Sequence, residues 1–157
     1  LENEILYGQS FEVPDDEDHI VPIGIANVVR PGRDATIATF SLMVGKALEA
    51  AEALAGEGID LEVIDLRSIR PLDMDTILTS VEKTNRLITV EEGWSTAGIG
   101  AEISATVMER AFDFLDAPVK RVCGSDVPLP YAANLEKLAL PQAETIADAA
   151  RQLCSLN

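Results

Sequence analysis

From Gly24 onward the apolar residues recur with two different periods, and the alternation between those periods divides the chain into elements. Short runs rich in β-branched residues read as strands at residues 25–29, 35–40, 61–66, 86–90 and 119–123, because Val, Ile and Thr suit a pleated, half-buried surface. Between them lie stretches with helical spacing. Residues 42–55 carry the Ala, Leu and Glu content of a good helix former, with Ser41 at the N-cap position and Gly56 and Gly58 as the stop. Residues 74–83 place Ile77, Leu78 and Val81 on one face, behind Asp73 as the expected cap. Residues 101–108 and 144–153 read as two further helices. Pro31-Gly32-Arg33-Asp34 is a turn, and the region of Pro128, Pro130 and Pro141 is expected to be largely loop. Helices of about ten or more residues between short strands predict right-handed crossovers. The fold class is therefore α/β, with a mainly parallel five-stranded sheet covered by helices on both faces.

The first twenty residues break this pattern. They hold seven acids (Glu2, Glu4, Glu12, Asp15, Asp16, Glu17 and Asp18) and no Lys or Arg, a density that opposes a compact core. Residues 1–22 are accordingly expected to be an acidic linker or arm, and residues 23–157 the folded domain. The opening Leu1-Glu2-Asn3-Glu4-Ile5-Leu6-Tyr7 lacks a start methionine and resembles the tail of something folded upstream, so the chain is expected to be a fragment or a cleaved product.

Composition narrows the partners. A formal charge of -15 repels nucleic acid phosphates and anionic membrane surfaces and favours a basic protein partner. No apolar run approaches the roughly 20 residues needed to cross a bilayer, and a soluble chain is expected. Cys123 and Cys154 fall on a strand and a helix without metal-ligand spacing, so both are expected to be reduced, buried packing residues. His19, the single histidine, cannot complete a metal cluster or a Ser/His/Asp set with them.

Five sets of residues are candidates for chemistry or contact. Arg67 and Arg70 lie where the third strand exits and Pro71 bars it from continuing. In an open α/β sheet that edge receives ligands and partner domains, so the two guanidiniums could bind an anion, pin a neighbouring domain, or pair with nearby carboxylates. Gly98-Ile99-Gly100 before a helix could turn backbone amides toward a phosphate, although it lacks the third glycine of the dinucleotide fingerprint and follows the fourth strand, so tight strand-to-helix packing is the alternative. Glu91 and Glu92 are adjacent in a strand and point to opposite faces, which opposes a shared proton. Trp94 fits a domain contact. Glu109, Asp113 and Asp116 surround Phe112, Phe114 and Leu115 at spacings of four and three. Acids at a helix C-terminus oppose the dipole, so this cluster is either a docking surface for Arg or Lys or a solvated acidic face.

Several stretches resemble a known family. Leu1-Glu2-Asn3-Glu4-Ile5-Leu6-Tyr7-Gly8, Asp65-Leu66-Arg67-Ser68-Ile69-Arg70-Pro71-Leu72-Asp73, Val90-Glu91-Glu92-Gly93-Trp94 with Gly98-Ile99-Gly100-Ala101-Glu102, and Gly124-Ser125-Asp126-Val127-Pro128-Leu129-Pro130-Tyr131-Ala132 are similar to the C-terminal half of pyruvate dehydrogenase E1 β subunits. The resemblance implies a transketolase C-terminal domain-like fold, three layers α/β/α, with a mixed sheet in the order 1-3-2-4-5 and the first strand antiparallel. It implies a thiamine diphosphate-dependent enzyme that decarboxylates pyruvate oxidatively and passes the acetyl group to the lipoyl group of E2. The segments that supply the activating glutamate and hold thiamine diphosphate and Mg belong to a preceding domain and to the E1 α subunit. By resemblance this stretch alone binds neither cofactor and is inactive, and its role is assembly with the E1 α subunit, a second β subunit and the basic peripheral subunit-binding domain of the E2 acyltransferase. E2 docking then falls on Glu109, Asp113, Asp116 and the carboxylate of Asn157, and domain contacts on Arg67, Arg70 and Trp94. The location implied is bacterial cytoplasm or mitochondrial matrix. The same domain of a branched-chain 2-oxo acid dehydrogenase is a second reading. A free-standing α/β ligand-binding or signalling module is a third, opposed by Thr39-Phe40-Ser41 where a phospho-acceptor fold wants acids after its first strand.

Overall fold

The period-two runs become five strands in a computed structural model, which describes residues 3–8, 10 and 12–155. In chain order the elements are β1 (Asn27–Arg30), β2 (Ala35–Thr39), α1 (Leu42–Ala55), β3 (Leu61–Asp65), α2 (Met74–Thr84), β4 (Leu87–Trp94), α3 (Ile99–Arg110), β5 (Lys120–Gly124), α4 (Ala133–Ala139) and α5 (Ala143–Cys154), with 3-10 helices at Glu4–Gly8 and Phe112–Phe114. They form one sheet in the order β1-β3-β2-β4-β5. β1 runs antiparallel to β3, and the other pairings are parallel. The expected α/β/α fold, strand order and antiparallel first strand are all present.

Alternation along each strand separates two cores. Ile37, Leu61, Val63, Ile88 and Val90 pack under Met43, Ala47 and Leu54 of α1 and Ile146, Ala150 and Leu153 of α5. On the opposite face Ala38, Ile64, Leu66 and Leu87 meet Ile77 and Val81 of α2 and Ile103 and Val107 of α3. The helices thus cover both faces because each strand presents small or β-branched residues to both. Arg151 ties the first layer together at the surface, with its guanidinium bonded to Glu57 at the end of α1 (2.7 and 2.9 Å) and to Asp148 of α5 (2.6 Å).

Four local expectations need correction. Ser41 stands at the N-cap of α1 as expected but does not cap it through its side chain; its φ of 57° is outside the extended conformation in which a capping hydroxyl reaches the first helical amides. β4 runs on past the expected end at Val90, through Glu91 and Glu92 to Trp94, because β5 continues to pair with it as far as Gly124. α3 begins two residues earlier than expected, at Ile99. The proline-rich region is not wholly loop, since Ala133–Ala139, within the proline-free stretch between Pro130 and Pro141, form α4.

The Asp73 expectation holds and carries more than a cap. Its carboxylate accepts from the Thr76 backbone N–H (3.1 Å) and hydroxyl (2.7 Å), and from the Ala26 N–H (2.9 Å) just ahead of β1. One side chain therefore starts α2 and holds the entry to β1. Burial alone would raise its pKa, but the bonds from Ala26 and Thr76 outweigh that and hold it below the ordinary aspartate value. A depressed folded-state pKa contributes stability above the unfolded value, about 3.9, and that stability is lost as pH falls through the folded value. Asp73→Ala is expected to cost about 1–2 kcal/mol at neutral pH. Asp73→Asn should keep most of the cap while flattening the acid limb of stability below about pH 4. Urea unfolding against pH checks both, and an unchanged acid limb in Asp73→Asn would remove this carboxylate from the linkage.

Candidate functional site

The carboxyl ends of β2 to β5 form one edge of the sheet, and backbone strain collects there. Ser41 after β2 (φ 57°), Arg67 after β3 (φ 54°) and Ala97 after β4 (φ 58°) are all non-glycine residues in the left-handed region. Such conformations cost energy and persist where surrounding structure enforces them, commonly at functional edges. Arg67 is held by its own N–H, which donates to Asp65 Oδ1 at 3.0 Å, while Leu66 N–H reaches Thr39 O at 2.8 Å. The Arg67 and Arg70 side chains are exposed, and among the described residues neither forms an ion pair with a carboxylate. The expectation that they pair with neighbours is therefore not met among those residues, and both guanidiniums stand available on the edge.

The glycine loop is already filled from within. Glu91, buried at 4% exposure, accepts the Ile99 N–H (3.1 Å) and the Gly100 N–H (3.0 Å) at the start of α3, where the helix dipole favours negative charge. The glycines are required by this approach. A Cβ on Gly98 would lie 2.5 Å from Glu91 Oε1, and one on Gly100 would lie 2.5 Å from Thr89 Oγ1. Tight strand-to-helix packing, the alternative to a phosphate cradle, is what the loop serves. Cys123 on β5 lies 3.8 Å from the same carboxylate, and burial together with that negative charge pushes its thiol pKa up. Both cysteines are free, and both are partly exposed where burial was expected.

Glu92 points to the other face, as adjacent strand residues must. Its carboxylate accepts from Asn3 Nδ2 at 3.1 Å through each oxygen, and partial burial raises its pKa against that bond. Asn3, Ile5, Glu92, Trp94, Leu129 and Glu136 line a cleft of about 460 Å³. Trp94 is 51% exposed and donates from Nε1 to Val127 O at 3.2 Å. Half of its ring is thus left for a contact from outside.

At the other end of α3 lies an acidic and apolar patch. Glu109 sits in the last turn, Asp113 in the 3-10 helix and Asp116 beyond it, all exposed. Met108 just before them and Phe112 and Phe114 among them are exposed. Asp116 is already engaged, 3.6 Å from the guanidinium of Arg86, whereas Glu109 and Asp113 have no ion-pair partner among the described residues. Asn157 lies outside the described residues.

Sequence reading missed a buried carboxylate on the second face of the sheet. Glu62 of β3 is completely buried, its Oε2 bonded by Lys83 Nζ and its Oε1 without a partner among the described residues. Thr36 lies beside it on β2, bonded to Thr84 (2.7 Å). The available signal was an acid inside the apolar run Leu61-Glu62-Val63-Ile64 with a lysine on the helix that follows.

These residues do not fit a diphosphate–magnesium group. The glycine-flanked start of α3 already carries Glu91, and no His, Cys, Asp or Glu group among the described residues is arranged to hold a metal.

Comparison with known proteins agrees with this picture. The family model "Transketolase, C-terminal domain" matches residues 24–146. The chain is 55% identical to the mitochondrial pyruvate dehydrogenase E1 component subunit beta of Dictyostelium discoideum, over 100% of its own length and 45% of that protein. It is 59% identical to the mitochondrial subunit beta-1 of Arabidopsis thaliana over 98% of its length and 43% of that protein. It is 54% identical to the corresponding subunit of Rhizobium meliloti over 98% of its length and 34% of that protein. The chain thus spans less than half of these curated relatives. A solved structure described as a split gene transketolase, inactive beta4 tetramer, superposes with a TM-score of 0.78 at 28% identity, over 92% of this chain and 47% of that one. With its strand order, its antiparallel β1 and the match over residues 24–146, the chain belongs to the transketolase C-terminal domain family.

Proposed function

We propose that this chain is the C-terminal assembly domain of a pyruvate dehydrogenase E1 β subunit, with residues 1–22 as the arm from a preceding domain. The whole enzyme would use thiamine diphosphate and Mg held elsewhere, decarboxylate pyruvate and pass an acetyl group to lipoyl-E2, in a bacterial cytoplasm or a mitochondrial matrix. This segment would contribute contacts to E1 α, to a second β subunit and to E2, and no chemistry of its own. The similarity to pyruvate dehydrogenase β subunits over nearly the full chain favours this reading over a branched-chain relative or a free-standing module. Arg67, Arg70 and the exposed half of Trp94 suit contacts with neighbouring domains.

One observation carries the E2 part of the proposal: exposed Glu109 and Asp113 flank exposed Phe112 and Phe114 at the end of α3. A basic subunit-binding domain would meet charge and apolar surface together, which favours both rate and specificity of association. Asp116 would join after sharing or releasing Arg86. Calorimetry with a basic E2 peripheral subunit-binding domain tests it. Glu109→Ala with Asp113→Ala should weaken binding about tenfold or more, and affinity should fall as salt rises. Binding unchanged by the double substitution would place the E2 contact elsewhere.

A further inference from the structure

The arm and the Arg67–Arg70 corner are physically joined. Gly24 N–H donates to Ser68 Oγ at 3.2 Å, and the Gly24 backbone lies so close to Pro71 that a Cβ there would be 2.6 Å from Pro71 Cγ. Two residues on, Ala26 N–H is bonded to Asp73. The arm therefore leaves the domain from the loop that carries both exposed guanidiniums.

Six to nine residues upstream of Gly24 lie Asp18, Glu17, Asp16 and Asp15, all exposed. Among the described residues none has an ion-pair partner. Six residues of extended chain reach about 20 Å, so the acids can return to the corner they depart from. No Lys or Arg in the first twenty residues competes for them. A tether of this length sets a local concentration on the order of millimolar, far above that of most free partners.

We infer that the acid run Asp15, Asp16, Glu17 and Asp18 is an internal competitor for Arg67 and Arg70. It visits the two guanidiniums when no anionic surface is present and must be displaced when one arrives. The corner then discriminates by charge: an acidic protein segment that offers more than the arm binds, and a weaker anion does not. Exposed ion pairs are individually weak, which is what allows displacement. The inference stands whether or not the assembly reading holds, because its test needs only this chain and a peptide.

The test compares the 157-residue chain with the variant Asp15→Asn, Asp16→Asn, Glu17→Gln, Asp18→Asn. In the parent, the Arg67 and Arg70 Nε–Hε resonances are expected to move as salt is raised, and in the neutral-arm variant to start near their high-salt positions. A hexaglutamate peptide should bind the neutral-arm variant about three- to tenfold more tightly than the parent, and Arg67→Gln with Arg70→Gln should abolish that gain. Identical arginine resonances in parent and variant at low salt would overturn the inference. So would equal hexaglutamate affinity, or a gain that survives loss of both arginines.

Discussion

Lys83→Met is expected to destabilise the domain by about 2–4 kcal/mol, the cost of leaving a buried carboxylate without its counter-ion. Glu62 is completely buried and Lys83 is the cation that reaches it, while its second oxygen has no partner among the described residues. The ammonium is half-exposed, which keeps the effect below that of a fully interior pair. Replacing both members, Glu62→Leu with Lys83→Met, should recover most of the loss, since well-packed apolar residues commonly match a buried ion pair in stability. Chemical denaturation of the parent, the single and the double variant measures this. If Lys83→Met unfolds at the parent's midpoint, the pair contributes nothing and the idea fails.

The second large effect concerns the start of α3. Glu91→Ala removes two charge-assisted bonds and strands the Ile99 and Gly100 amides in a site too narrow for easy hydration, a loss of about 3–4 kcal/mol. Glu91→Gln keeps the shape and one acceptor oxygen but sets its NH2 against one of the two N–H groups, and is expected to lose about 1.5–3 kcal/mol. Thermal unfolding gives the magnitude, and hydrogen exchange at Ile99 and Gly100 locates it. Exchange at those two amides no faster than in the parent would show that the carboxylate does not hold the helix.

Strand identities and core faces were legible because they rest on local periodicity. Ile37, Val63 and Ile64 declare strands without reference to anything distant, and Asp73 before Met74 is a local cap signal. The strand order was not legible from residues 25–124 themselves; it came only with the resemblance, since adjacency depends on which crossovers are chosen. β4 was read too short because Gly93 looks like a strand terminator, whereas Gly124 approaches so closely that a Cβ there would lie 2.2 Å from Glu92 O. Glu91 was weighed for a proton shared with Glu92 and not as a helix anchor, because its partners are backbone amides eight and nine residues away with no side-chain signature. α4 was hidden by the prolines that bound it.

The carboxylate at the start of α3 also bears on how this edge is controlled. A phosphate bound at such a position would come and go with its concentration in the cell, and the helix would stiffen or loosen with it. Glu91 is covalently part of the chain, so the occupancy of that position is constant and independent of metabolic state. The domain has in effect built its ligand in, and this part of its geometry does not wait on a diffusible anion.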